Sequence, residues 1–136
     1  MTERVFLDTN VILYADDRSA GDKRLRALDL LSDLVSKSLA VVSTQVLQEY
    51  FVVATRKLGV PPEVARAKVD ALAQLDVVLI RPEIIVAAID LHRLHSLSFW
   101  DALIIKCASV AGCSRVLSED MQNGVSIDGV VVVNPF

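Results

Sequence analysis

Residues 5–15 read VFLDTNVILYA, an apolar run broken only by an Asp, a Thr and an Asn. The segment RVFL (4–7) has the continuous apolar character of a strand covered on both faces, and NVILYA (10–15) reads as a short helix. Asp8 thus stands at a strand-to-helix junction where the chain should be deeply buried, and a carboxylate there needs a partner.

Outward from this junction the same alternation repeats. KRLRALDLLSDLVSK (23–37) reads as an amphipathic helix, LAVVS (39–43) as a strand and TQVLQEYFVVATRKLG (44–59) as a helix closed by Gly59. Pro61 and Pro62 open a helix through about Leu75, VVLI (77–80) is a strand, and Pro82 opens a helix through about His95. SFWDALIIKCASVAG (98–112) is a further helix, and RVLS (115–118) and VVVV (130–133) are the last strands. Apolar strands separated by helices predict an α/β fold, a three-layer sandwich around a central parallel sheet of about five strands with right-handed crossovers.

No Gly/Ser-rich or Pro-rich linker divides the 136 residues, so one domain is expected over 1–136. Cys107 and Cys113 fit no C-x-x-C pattern and lie in an apolar stretch, which makes them small core residues suited to a reducing cytoplasm. The opening MTERVF and the short runs IIVAAI and VVVV fall below the ~18 apolar residues a membrane span requires, so no membrane is expected. A formal net charge of -3 argues against binding nucleic acid by a general basic field, but it permits a local basic patch.

Ligands of open parallel sheets bind beyond the carboxyl ends of the strands. Acids from four segments gather there by position: Asp8 after the first strand, Glu49 in the second turn of the helix after LAVVS, Asp101 in the first turn of its helix, and Glu119 and Asp120 after RVLS. Neither Glu49 nor Asp101 has a cation three or four residues away. Each acid has a simpler reading by itself. Ser98 and Asp101 have capping-box spacing, Asp8 can cap NVILYA, and Glu119 or Asp120 can be a turn residue. As a set, however, several like charges held close together need protons or cations to offset them. Oxygen donors without His or Cys select Mg²⁺ or Mn²⁺, ions that acidify bound water and stabilise charge on a phosphate.

VFLDTNVILYA, STQVLQEYF (43–51), LSFWDALIIKCA (97–108) and VLSEDMQNG (116–124) occur in this order and resemble, over essentially the whole chain, the PIN-domain ribonucleases of the VapC type, the toxin halves of toxin–antitoxin pairs. The resemblance implies an acidic metal site of Asp8, Glu49, Asp101 and Asp120. Asp8 and Asp101 would be direct Mg²⁺ ligands, Asp120 a direct or water-mediated one, and Glu49 the acid that orients or deprotonates the attacking water. Thr9 and Asn10 would lie against the site. Glu119 and Asp120 compete for the fourth position, and Ser118-x-Asp120 matches the family's hydroxyl-x-acid pattern. The resemblance also implies homodimers, RNA as substrate with 5′-phosphate and 3′-hydroxyl products, and a cognate antitoxin protein that blocks the site.

Other residues invite a role. His92 and His95 lie three apart, a spacing that permits shared metal binding, but surface or helix-end positions explain them. Phe99 and Trp100 could stack on bases, but core packing beside Asp101 is the expectation. Lys23, Arg24 and Arg26 form one basic cluster and Arg56 and Lys57 another; both are candidate phosphate contacts, although cations in a last helical turn or on a solvated face need no ligand. Two rival functions remain. VFLDTNVI resembles the start of a haloacid-dehalogenase-type phosphatase with Asp8 as nucleophile, except that Asn10 stands where the second acid should be. A non-catalytic RNA- or protein-binding module would use the same fold without turnover.

Overall fold

The computed structural model describes residues 3–136; Met1 and Thr2, the first positions of the expected domain, lie outside the described residues. The strands are β1 (Val5–Leu7), β2 (Ala40–Ser43), β3 (Asp76–Val78), β4 (Arg115–Leu117), β5 (Ser126–Ile127) and β6 (Val130–Val133). The helices are α1 (Thr9–Asp16), α2 (Asp22–Ser36), α3 (Thr44–Arg56), α4 (Pro62–Leu72), α5 (Pro82–His95) and α6 (Phe99–Val110).

Successive strand residues point to opposite faces of a sheet. Val5, Phe6 and Leu7 are all fully buried, as are Val41, Val42 and Ser43, so both faces of β1 and β2 are sealed by helices. This is the three-layer α/β sandwich that the unalternating apolar strands predict. The sheet order is β3-β2-β1-β4-β6-β5. The first five of these strands run parallel, and β5 pairs antiparallel with β6 through Ser126–Val131 and Ile127–Val130. The expected sheet of about five strands is thus present with a sixth, two-residue strand at its edge. Asp128 and Gly129 turn that hairpin at φ 53° and 79°, and two residues between turns carry no periodicity to read.

Two other expectations shift. The strand expected at 77–80 is Asp76–Val78, and Leu79 beyond it is 58% exposed, because β3 is an edge strand whose outer side faces solvent. Trp100, expected in the core, is 62% exposed and forms a T-shaped pair with Phe99, with ring centroids 5.1 Å apart. The buried face of α6 is carried instead by Ala102 through Ile105, Cys107 and Ala108, which leaves Trp100 on the outer side of the first turn. Cys107 and Cys113 are free and buried, as expected.

The helices pack in pairs, α1 with α2, α3 with α4 and α5 with α6, and α1 also packs on α3. From β1 the chain steps outward through β2 to β3, then returns to the other side of β1 as β4. The crossovers therefore diverge between β1 and β4, and the crevice beyond their carboxyl ends is where an open parallel sheet accepts a ligand.

Candidate active site

Asp8 leaves β1 as the N-cap of α1, its Oδ1 accepting a 2.7 Å hydrogen bond from the Thr9 N–H. Its Oδ2 accepts from the Ser118 hydroxyl at 2.7 Å and from the Asn10 amide at 3.2 Å. Capping and site-building are therefore both realised, one on each oxygen. Ser118 reaches Asp8 because β1 and β4 are paired in register, Leu7 beside Leu117, so the residues following each strand emerge side by side.

Asn10 ties the crevice together. Its Nδ2 lies 3.1 Å from Asp120 Oδ2 as well as 3.2 Å from Asp8 Oδ2, and its Oδ1 accepts from the Glu119 N–H at 3.2 Å. Ser118 Oγ in turn accepts from the Asp120 N–H at 3.2 Å. Because the Asn10 amide cannot donate a titrating proton, the second acid of the phosphatase pattern is lacking both chemically and in sequence.

Glu49 enters from α3, held at both oxygens: Thr9 Oγ1 donates to Oε2 at 3.1 Å and Gln45 Nε2 to Oε1 at 2.6 Å. Gln45, only 5% exposed, is a supporting residue that the search for charged partners misses, although its position four residues before Glu49 puts both on one helical face. Asp101 enters from α6, whose N-cap Ser98 accepts from the Asp101 N–H at 3.1 Å. Asp101 and Asp120 line one cavity of about 330 Å³, together with His95, Ser98 and Met121.

Asp120 and Glu49 lie near enough to Asp8 and to Asp101 to act on both by charge. Burial pushes the Asp8 carboxyl up to about 6, and the charges of Asp120 and Glu49 add to the rise while the bonds from Ser118 and Thr9 oppose it. Asp101 is raised as well, by burial first and then by the same two acids, with the Ser98 hydroxyl opposing. Asp120 and Glu49 thus each repel both Asp8 and Asp101. Among the described residues, no ion pair involves any of the four.

Glu119 points elsewhere. It pairs with Lys23 and accepts from the Tyr14 hydroxyl, and these two bonds hold its carboxyl below the usual range. The crevice therefore receives Asp120, while Lys23, a candidate phosphate contact, is committed to Glu119 and sits 5.1 Å from the Tyr14 ring centroid. Arg24 and Lys57 line a different cavity, and Arg56 is exposed in the last turn of α3. His92 and His95 are exposed near the end of α5, as expected.

The donor set suits a hard cation: four carboxylates without a counter-charge, two of them with raised affinity for protons. Among the described residues no three His, Cys, Asp or Glu side chains close around one point tightly enough to hold an ion unaided. Mg²⁺ matches such an arrangement, since it takes one or two carboxylates and keeps several waters.

Fold and crevice together define an α/β domain with an acidic cluster at the topological switch point of its sheet. The family model for the PIN domain matches residues 5–122, and the chain belongs to that family. Among solved structures it is similar to a toxin–antitoxin complex from Klebsiella pneumoniae, with TM-score 0.70, 20% identity, and coverage of 97% of this chain and 98% of that one. It is also similar to VapC20 of Mycobacterium tuberculosis, described as a Sarcin-Ricin loop cleaving toxin, with TM-score 0.68, 17% identity, and coverage of 85% and 89%. VapBC2 from Rickettsia felis, bound to a promoter DNA fragment, matches with TM-score 0.68, 16% identity, and coverage of 94% and 96%. At these identities the likeness is one of fold. No curated protein sequence matches the chain.

Proposed function

We propose that this protein is a divalent-metal-dependent endoribonuclease, the toxin half of a toxin–antitoxin pair. The observation that carries the reading is the convergence of Asp8, Glu49, Asp101 and Asp120 from four segments with no cation of their own, and with Asp8 pushed up to about 6. Asp8 and Asp101 would hold Mg²⁺ or Mn²⁺ directly and Asp120 through water. The ion supplies positive charge opposite the phosphate and a more acidic water. Glu49, fixed by Thr9 and Gln45, keeps a lone pair on each oxygen with which to orient that water and take its proton. Ser118 and Asn10 hold Asp8 in place and spread its charge through two hydrogen bonds. Attack on a phosphodiester in this setting leaves 5′-phosphate and 3′-hydroxyl ends.

The likeness to a toxin–antitoxin complex and to VapBC2 supports an antitoxin partner. Exposed Phe51 and Val52 on α3, and Ile85, Val86 and Ile89 on α5, are apolar surfaces suited to protein partners, and we assign these surfaces to the antitoxin and to a second copy of the chain. No helix among the described residues is long and apolar enough to cross a membrane. The buried free thiols suit the reducing cytoplasm, where we place its action.

The test is cleavage of total RNA by the purified protein with Mg²⁺. A few discrete cuts, abolished by EDTA and by Asp101→Asn in a protein that still folds, are expected. Cleavage that survives either treatment would sink the proposal.

A further inference from the structure

A second cavity, of about 790 Å³, opens where the C-terminal ends of α1 and α3 meet the beginnings of α2 and α4. Arg18, Arg24, Lys57 and Lys68 line it, opposed only by Asp16 and Asp17. In a chain whose formal net charge is -3, this wall carries an excess of two positive charges, four cations against two acids. Arg24 and Lys57 come from basic clusters more than thirty residues apart in sequence. They meet here because α1 packs on both α2 and α3.

The two acids are already engaged. Asp16 Oδ2 accepts from the Tyr50 hydroxyl at 2.5 Å and lies 3.6 Å from Lys68 Nζ. Asp17 Oδ1 accepts from the Ser19 hydroxyl at 2.6 Å and from the Ser19 N–H at 3.0 Å. Among the described residues Arg18, Arg24 and Lys57 pair with no carboxylate. Arg24 Nε is moreover buried and bonded to nothing. Leaving a guanidinium donor unpaired is costly, so Arg24, which lines the cavity, gains from an anion its side chain can turn to meet there. A phosphate suits best, since the planar fork of Arg grips two of its oxygens at once.

We propose that this cavity is a phosphate-binding subsite for the single-stranded RNA whose cut bond lies at the acidic crevice. The inference rests on the nuclease reading for the identity of the ligand. α1 connects the two places: Thr9 touches Glu49 at its first residue and Asp16 lines the cavity at its last. At about 1.5 Å per residue that separation is about 10 Å, which a strand of a few nucleotides spans. The acidic crevice repels the phosphates flanking the cut, so a strand threaded across it gains from an anchor of opposite sign at this distance.

The test is binding of a short fluorescein-labelled single-stranded RNA in chelator buffer, followed by anisotropy over a salt series. Lys57→Gln and Arg18→Gln, both at exposed positions, carry the test, and Arg24→Gln is added if its melting temperature matches the wild type. Each substitution should weaken binding several-fold at low salt and reduce the slope of log K against log salt by about 0.7. Arg115→Gln, at the exposed amino end of β4 and outside the cavity lining, should change neither. In Mg²⁺ the same variants should raise KM for RNA while leaving kcat near wild type. Unchanged salt slopes in Lys57→Gln and Arg18→Gln overturn the proposal. So does competition by poly-glutamate as effective as unlabelled RNA, which would mark the cavity as a site for an acidic peptide. Because binding is read without turnover, a failure of the metal-dependent cleavage experiment leaves these slopes interpretable, and normal cleavage with unchanged slopes overturns the subsite alone.

Discussion

Replacing Asp8 by Asn should make the metal-free protein more stable, and only above a defined pH. Asp8 has a carboxyl of ordinary value 3.8 raised to about 6 in the fold, chiefly by burial. A raised acid binds its proton more tightly when folded, so ionising it costs stability: nothing below pH 3.8, a growing cost up to about 6, and the full cost above. The interval from 3.8 to about 6, at about 1.4 kcal/mol per pH unit, comes to about 3 kcal/mol. Asn removes this charge but sets an NH₂ or a single oxygen against Ser118 and the Asn10 amide, forfeiting about 1 kcal/mol of hydrogen bonding. The net gain at pH 7.5 in EDTA is about 2 kcal/mol. With about 2.1 cal/mol/K of unfolding entropy per residue, this gives a rise in Tm of about 7 °C for this length. Urea titrations of both proteins followed by far-UV circular dichroism from pH 3.5 to about 8 measure the difference; the exposed Trp100 is a poor reporter. Added Mg²⁺ should stabilise the wild type and not the variant. A variant less stable than wild type at pH 7.5, or a difference that ignores pH, would refute the account of Asp8 as a buried charge awaiting a cation.

Glu119→Gln should retain EDTA-sensitive RNA cleavage within a few-fold, whereas Asp120→Asn should lose it, because only Asp120 faces the crevice; equal losses would reverse that assignment. The lowered Glu119 carboxyl stabilises the fold above its ordinary value of 4.5 and loses that contribution as pH falls through its folded value, so the stability deficit of Glu119→Gln at pH 7 should shrink in acid, as urea midpoints at the two pH values will show. Trp100→Ala should shift Tm by less than about 2 °C, since an exposed side chain contributes within about 0.5 kcal/mol, and a fall beyond about 10 °C would return Trp100 to the core.

The elements with strong periodicity were legible because their signals are local. Val5–Leu7 and Ala40–Val42 run apolar without alternation, and they belong to the strands sealed on both faces. Ser98 three residues before Asp101 marks a helix start, and Ser98 caps α6. Asp8 and Asp120 stood out by their place after a strand and Glu49 and Asp101 by the lack of a cation at helical spacing, and in the fold the four carry no ion pair among the described residues. Gln45 was legible in principle, one turn before Glu49, but only a search for uncharged partners would have found it.

By itself the sequence determined the class of fold, the strand ends from which function would be built, and the acids available there, since each depends on residues within a few positions of one another. Only the tertiary structure decided which way the side chains at those ends turn. Glu119 is bound to Lys23 from 96 positions away and Asp120 meets Asn10 across 110, both brought into reach by the pairing of β4 with β1. Arg24 and Lys57 share a cavity for the same kind of reason, the packing of α1 against its two neighbours. Adjacent residues in a turn differ by the direction of a side chain rather than by periodicity, and that direction is set by partners the chain brings back from far away.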